Sequence, residues 1–235
     1  MKKIILPLAL CCITNTALAE DVEYGYSGTA SAGLTITTGN TETTNLILDA
    51  AIKNETERAR HNYFANLLQT ENDDVTTGER FLLGYKYDYK LSDVSYIWVE
   101  GRYEQDQFSS YDNQIIGSTG YGRKVLNDDW NQLDLEGGIG YRSSELINGD
   151  TEDEAVFRGA LFYTRKLSDT ANFIQNIVVL AGSNNTAIDS KTAISAKVAG
   201  NIGIEAAYII KHNTDVLPGT DKTDSTTAIS LVYGF

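Results

Sequence analysis

The last nine residues of the chain, Thr227-Ala228-Ile229-Ser230-Leu231-Val232-Tyr233-Gly234-Phe235, decide the fold. Larger or more apolar side chains fall on the odd positions and mostly smaller ones on the even positions. A period of two is that of a β-strand whose two faces meet different environments. A membrane barrel must pair its last strand, because an edge amide cannot stay unpaired in lipid. A terminal amphipathic strand that ends on an aromatic residue therefore indicates an outer-membrane barrel.

Similar alternation runs through the rest of the chain. From Tyr24 to Thr37 the even positions are mostly apolar and the odd positions are small or polar, which assigns the even face to lipid and the odd face to the lumen. Clear alternation recurs at 46–52, 81–89, 97–103, 133–141 and 204–210, and weaker alternation near 60–70, 113–124, 155–166, 171–181 and 191–199. These segments predict an all-β fold, a closed antiparallel transmembrane β-barrel of about 12 strands with up-and-down topology.

A secreted β-sandwich is the alternative, because its strands alternate as well. Sandwich strands average about 5 to 6 residues, whereas the segments here run to roughly 10 to 13, the length that a tilted strand needs to cross a bilayer. Tyrosines also recur near the strand ends, where an interfacial girdle would lie. Both observations favour the barrel.

Connection lengths give a further prediction. In such barrels the periplasmic turns are short and the extracellular loops are longer. Short turns are predicted at Leu91–Asp93, Leu167–Asp169 and Gly200–Asn201. The predicted outside loops are rich in acidic residues and lie at 72–79, 106–113, 144–153, 182–190 and 213–224. The hairpin at Gly39 and Asn40 is an exception, because it is short although it should face outside.

Residues 1–19 have the three regions of a secretory signal peptide. Lys2 and Lys3 precede an apolar stretch at 4–13, and the small residues that end at Ala19 supply a cleavage site. Cleavage there would leave a single barrel domain over residues 20–235 in the bacterial outer membrane. Cys11 and Cys12, the only cysteines, would be removed. The mature chain could then form neither a disulfide framework nor a thiolate metal site.

Composition excludes one large class of function and fits the barrel. The formal net charge is -13, and it becomes more negative once Lys2 and Lys3 are removed. Such a chain would be repelled by a phosphate backbone, so nucleic acid is not an expected partner. The expected partners are outer-membrane lipids and lipopolysaccharide, and the barrel-assembly machinery during insertion. We expect a monomer, with Phe235 in the last strand as the signal that the assembly machinery engages.

Four stretches resemble the landmarks of a known family. They are Gly39-Asn40-Thr41-Glu42-Thr43-Thr44, Gly78-Glu79-Arg80, Tyr103-Glu104-Gln105-Asp106-Gln107-Phe108 and Gly138-Ile139-Gly140-Tyr141-Arg142. In order and spacing they are similar to the salt-induced outer membrane protein family, a domain of unknown function made of bacterial outer-membrane β-barrels. The resemblance covers essentially the whole mature chain. It implies an outer-membrane location and a link to salt, and it supplies no established activity.

The residues available for catalysis do not form a site. Outer-membrane lipases, acyltransferases and proteases use His with Ser or Asp, and this chain has only His61 and His212. The strand order places His61 at the periplasmic start of the third strand and His212, near Asp215, at the extracellular end of the eleventh. They cannot share a site, so we expect no enzyme, and a lipid-modifying enzyme or protease is the less favoured alternative. Acidic runs at 72–74 and 150–154 lack a fixed ligand cage, so neither a metal nor a cofactor is expected.

Charged residues on the predicted inner face are the candidate site. Glu100, Arg102 and Glu104 share one face of the fifth strand, and Asp134, Glu136 and Arg142 share one face of the seventh. Mixed signs can pair across the lumen and form a structural network that fills the barrel. They can also line a narrow path that favours cations because acids are in surplus. The sequence leaves two functions open, a structural or envelope-stress barrel related to salt and a narrow, weakly cation-selective pore.

Overall fold

The computed structural model describes residues 24–37, 43–72, 75–106, 111–216 and 221–235, with the side chains of 35–37 and 43 left out. The predicted signal peptide at 1–19 and the hairpin at Gly39 and Asn40 lie outside these residues. Twelve antiparallel strands form a closed barrel in which each strand pairs with its neighbours in sequence. The strands are β1 Gly25–Thr37, β2 Thr43–Glu55, β3 Ala59–Asn72, β4 Val75–Lys90, β5 Ser95–Asp106, β6 Tyr111–Asn127, β7 Asn131–Leu146, β8 Thr151–Ser168, β9 Ala171–Gly182, β10 Thr186–Ala199, β11 Ile202–Asn213 and β12 Thr223–Gly234. The predicted strand count and topology are confirmed.

On strands such as β4 and β7 the two faces are inverted relative to those of a soluble protein. Along β4, Leu83 and Tyr85 are exposed on the outside, whereas Lys86 and Asp88 are buried on the inside. The same contrast holds on β7, where Ile139 is 61% exposed and Glu136 only 7%. Apolar side chains outside and paired charges inside are what a barrel surrounded by hydrocarbon requires. Within the described residues, no helix has the length and apolar character needed to span a bilayer.

The barrel closes where β1 pairs with β12. Thr29 pairs with Gly234 and Gly33 with Ser230, and the backbone of Phe235 extends this seam by one residue. Its N–H donates to the carbonyl of Gly28 at 2.9 Å, and the N–H of Gly28 donates to the carbonyl of Phe235 at 2.7 Å. The final residue therefore takes part in closing the cylinder.

We call the rim that contains Gly25 and Phe235 the terminal end, and the opposite rim the distal end. Connections at the terminal end are short and are stabilised by side chains that bond to their own turn. In the turn at 128–130, Asp128 accepts the backbone N–H groups of Trp130 at 2.9 Å and Asn131 at 2.8 Å. These two bonds lower the pKa of the Asp128 carboxyl, because they favour its charged form. Ser92 does the same more weakly for Ser95, at 3.1 Å.

Three of the five predicted long outside loops, 72–79, 144–153 and 182–190, are mostly strand, and for these three the prediction is wrong. β4 begins at Val75, β8 at Thr151 and β10 at Thr186, so most of the acidic stretches predicted as loops form the distal ends of paired strands. The predicted loop at 213–224 agrees with the strand ends, because β11 ends at Asn213 and β12 begins at Thr223. At the terminal end, β8 also continues through Ser168, which moves that turn to 169–170. The reason is physical: backbone pairing can continue past the lipid, where water tolerates charged side chains on both faces of a strand.

Candidate functional site

A first group of charges fills the half of the lumen that is walled by β3–β8. We call it the terminal tier, because it lies toward the terminal end. Its members pair with one another and are Arg60, Lys86, Asp88, Glu100, Asp134, Glu136 and Arg158. Arg158 is central, with one guanidinium nitrogen 2.7 Å from Glu136 and the other 3.0 Å from Glu100. Lys86 also bonds to Glu136. A buried carboxylate with several charged donors is compensated for its loss of water.

Two aromatic side chains pack within the terminal tier. Trp98 is 1% exposed and lies under Arg158, whose guanidinium carbon is 4.4 Å from the indole centroid. Tyr96 donates a hydrogen bond of 2.8 Å to Glu136. Trp98 fits against the wall because Gly120 and Gly138 lie beside it. A Cβ atom at Gly120 would come within 2.6 Å of the indole, and one at Gly138 within 2.7 Å. These glycines are therefore required for close approach of the ring rather than for a special backbone conformation.

A second group of charges lies nearer the distal end and crosses the lumen. We call it the distal tier, and its members are Arg80, Arg102, Glu104, Asp106, Asp189 and Lys211. Lys211 on β11 donates to Glu104 on β5 at 2.8 Å and to Asp106 at 2.6 Å. Asp189 on β10 lies 3.4 Å from Arg80 on β4. β5 and β11 are six strands apart in the closed order, so these contacts join opposite walls.

The wall that faces the charged half is lined by small side chains. Ala193, Ala207 and Ala228 lie side by side on β10, β11 and β12, and each is at most 5% exposed. An alanine that faced an open, water-filled channel would be wetted, whereas these three are not. Lys191 and Glu205, the inward neighbours of Ala193 and Ala207, form an ion pair at 2.7 Å, so long charged side chains from this wall as well as from the charged half occupy the lumen near this level.

The distal rim has a separate polar network around Arg142 and Glu154. Arg142 Nε donates to Glu154 Oε1 at 3.0 Å. The other carboxylate oxygen of Glu154 accepts the backbone N–H of Asn184 at 2.8 Å, in the connection between β9 and β10. Arg142 also donates to the carbonyl of Asn185. Glu154 thus holds a connection against the rim.

The six predicted inner-face residues fall into three places. Glu100, Asp134 and Glu136 lie in the terminal tier, Arg102 and Glu104 in the distal tier, and Arg142 in the rim network. Sequence reasoning missed most of their partners, chiefly Lys86, Arg158, Asp189 and Lys211. Those residues also alternate with apolar neighbours along their strands, and this periodicity was the available signal.

The histidines are far from any common site. His61 Nδ1 lies 2.8 Å from the Tyr85 hydroxyl near the terminal end, and His212 Nδ1 lies 2.8 Å from the Thr223 hydroxyl near the distal end. Both alternate with inward side chains and so point outward. In the described part of the chain, no three His, Cys, Asp or Glu residues are grouped in a way that could hold a metal ion.

Comparison with protein families gives one match that spans most of the chain. Residues 30–235 match the family described as "Protein of unknown function, DUF481". The chain is also 24% identical over 209 residues to the uncharacterized protein YdiY of Escherichia coli K12, a match that covers 88% of this chain and 82% of the relative. The family match confirms the resemblance to a domain of unknown function.

Solved structures of other proteins share the fold. The translocator domain of the autotransporter NalP from Neisseria meningitidis superposes with a TM-score of 0.53 at 14% identity, covering 91% of this chain and 88% of that domain. The NanC porin superposes with a TM-score of 0.50 at 12% identity, covering 88% of this chain and 97% of the porin. At these identities the likeness establishes the barrel fold alone.

Proposed function

This chain belongs to the DUF481 family, which has no described function, and we propose that it is a non-enzymatic, monomeric barrel of the bacterial outer membrane with a closed lumen. In this proposal the signal peptide is cleaved after Ala19, the terminal end faces the periplasm and the distal end faces outside. The apolar outer surface and the paired charges inside support a membrane location. Phe235 serves as the assembly signal for the barrel-assembly machinery.

The observation that carries the closed lumen is the distal tier. Lys211 reaches Glu104 and Asp106 from the opposite wall, and the alanines of β10–β12 are shielded from water. A filled interior supports a structural role, in which the barrel stiffens the outer membrane and its rim meets lipopolysaccharide. The acidic residues at the distal strand ends suggest why such a role would relate to salt, because cations would screen repulsion between that rim and anionic lipopolysaccharide.

A narrow, weakly cation-selective pore is the second candidate. The terminal tier contains four carboxylates and three cationic side chains, and an acidic surplus inside a lumen favours cations. The structural likeness to the NanC porin shows only the fold, so this candidate depends on the charge balance.

Conductance separates the two candidates. We expect the protein purified from outer membranes in detergent to give rare, brief openings in a planar bilayer. Steady conduction with cation selectivity would refute the closed barrel and support the pore. Recovery of the protein as a soluble periplasmic monomer without detergent would overturn the membrane location.

A further inference from the structure

The two tiers differ in what they connect. Every ion pair of the terminal tier lies within β3–β8, the same half of the cylinder. In the distal tier, Lys211 and Asp189 come from β11 and β10, whereas Arg80, Arg102 and Glu104 come from β4 and β5. The terminal tier can therefore stay intact if the two walls move apart, whereas the pairs of the distal tier that cross the lumen must break.

We propose that the distal tier is a latch, with Lys211 as its main arm, and that its release opens a passage for small cations through the barrel. This inference rests on the closed lumen proposed above and extends it. The latch belongs to a barrel that is closed at rest and can open.

Lys211 makes the stronger of the two cross-lumen connections. Its ammonium group contacts Glu104 at 2.8 Å, Asp106 at 2.6 Å and the Tyr111 hydroxyl at 3.1 Å. The Lys211 side chain is only 12% exposed, so salt screens these contacts little. A single side chain of β11 thus holds groups on both β5 and β6.

Asp189 makes the weaker connection. It lies 3.4 Å from Arg80 and 3.5 Å from Arg102, beyond the best hydrogen-bond distance, and its side chain is 30% exposed. Loss of the Asp189 contacts should weaken the latch without opening it fully, because the contacts of Lys211 would remain.

The wall behind the latch would line the passage. Below Lys211 on β11, the inward positions are Ile209, Ala207, Glu205 and Gly203, and those on the neighbouring β12 include Ala228 and Ser230. Glu205 is held to the wall by Lys191 at 2.7 Å, and the short side chains beside it would leave space once the opposite wall withdrew. They lead to a half-open recess of about 350 Å³ at the terminal end, whose lining includes Ser195, Gly203 and Val232. The terminal tier occupies the opposite half of the lumen, and its surplus of one carboxylate over its cations would favour cations along this route.

The test is single-channel recording in planar bilayers bathed in potassium chloride, with the full-length precursor expressed and the protein purified from outer membranes. Lys211→Met should raise the open probability about tenfold or more, a ratio that corresponds to about 1.4 kcal/mol. Lys211→Arg should remain closed, because the longer cation keeps the charge and the donors. Asp189→Asn should give a smaller increase than Lys211→Met.

Lys191→Met is the matched control. Lys191 is also an inward lysine of this wall, but its partner Glu205, at 2.7 Å, lies on the adjacent strand. Its loss should leave the open probability unchanged. The reversal potential of Lys211→Met in a salt gradient should show cation preference.

The outcomes distinguish the latch from the closed barrel. If the wild-type protein conducts steadily, both the closed lumen and the latch are refuted. If neither the wild-type nor the Lys211→Met protein conducts, the latch is refuted and the closed barrel is retained. Equal opening in Lys211→Met and Lys191→Met also overturns the latch, because a general loss of luminal charge would then explain the effect. Circular dichroism and retained heat-modifiable gel mobility establish that each variant is folded.

Discussion

Lys211 Nζ lies 2.8 Å from Glu104 Oε1, and the two residues are on strands that face each other across the barrel. The Glu104 carboxylate also accepts a bond from Arg80 Nε at 2.7 Å on the neighbouring strand. Glu104 therefore links a contact along one wall to a contact between two walls. A change at either partner should affect both the stability of the barrel and its closure.

The Lys211–Glu104 pair should be energetically coupled. Lys211→Met should lower the free energy of unfolding by about 3 kcal/mol, because it leaves buried carboxylates without one of their cations. Lys211→Met combined with Glu104→Gln should cost less than the sum of the two single changes, with a coupling energy of about 1–3 kcal/mol. Urea unfolding in detergent micelles measures these values. Strict additivity would mean that the pair does not interact.

A pair whose lysine is exposed supplies the contrast for that measurement. Lys53 is 3.8 Å from Glu55 and its side chain is 48% exposed. Lys53→Met should change the free energy of unfolding by less than about 1 kcal/mol, since water already solvates this lysine.

Gly120 should tolerate no side chain. A Cβ atom there would collide with Trp98 and with the backbone of β7, so Gly120→Ala should destabilise the barrel by about 1–3 kcal/mol or block assembly. Gly117 is on the same strand and a Cβ atom there meets nothing within 4 Å. Gly117→Ala should therefore be nearly neutral. The amount of each variant in the outer membrane and its urea midpoint provide the comparison, and equal behaviour would contradict the packing described for Trp98.

Ile139 should lie in hydrocarbon. It is an exposed, outward residue near the middle of β7, so Ile139→Arg should destabilise the folded barrel in lipid by roughly 2–4 kcal/mol. Glu145 is on the same face near the distal end of the same strand, and Glu145→Arg should cost about 0–1 kcal/mol. Unfolding in lipid vesicles gives both values. A similar cost at the two positions would argue against a membrane-embedded middle.

Phe235 should matter more for assembly than for stability. Deletion removes the backbone bonds to Gly28 as well as the aromatic ring, whereas Phe235→Ala keeps the backbone bonds. Both variants should reach the outer membrane at lower levels than the wild type. After refolding in detergent, Phe235→Ala should be nearly as stable as the wild type. Unchanged membrane levels after deletion would remove the role of Phe235 as an assembly signal.

The acidic distal rim should respond to ionic conditions. Acids outnumber bases in the segments 106–113, 144–153 and 213–224, and repulsion between such charges is screened over roughly 10 Å at about 0.1 M salt. Protease nicking of these segments in intact outer membrane should decrease at high salt or with added magnesium. If the protease cuts these segments at the same rate in low salt, in high salt and with magnesium, their acidic side chains are simply solvated by water.

The sequence predicted the residues that face inward better than it predicted the ends of the strands. Alternation identified Glu100, Arg102 and Glu104 as one face of β5, because neighbours along a strand must point to opposite sides. The acidic segment around Thr151 was predicted as loop, because charged residues are common in loops. Beyond the lipid, however, strand pairing places no demand for apolar side chains, so charge does not mark the end of a strand.

What the sequence determined by itself is therefore local: the period of two, the apolar outer face, the count of strands and the charged character of the inner face. What only the tertiary structure decided is which charges meet. Lys211 and Glu104 are separated by 107 residues in the chain, and nothing near either residue specifies the other. Their contact depends on the closure of β1 onto β12 and on the register of every hairpin between them. A shift of one residue in any pairing would turn the side chains to the opposite face, so the partners within a tier are a property of the closed cylinder.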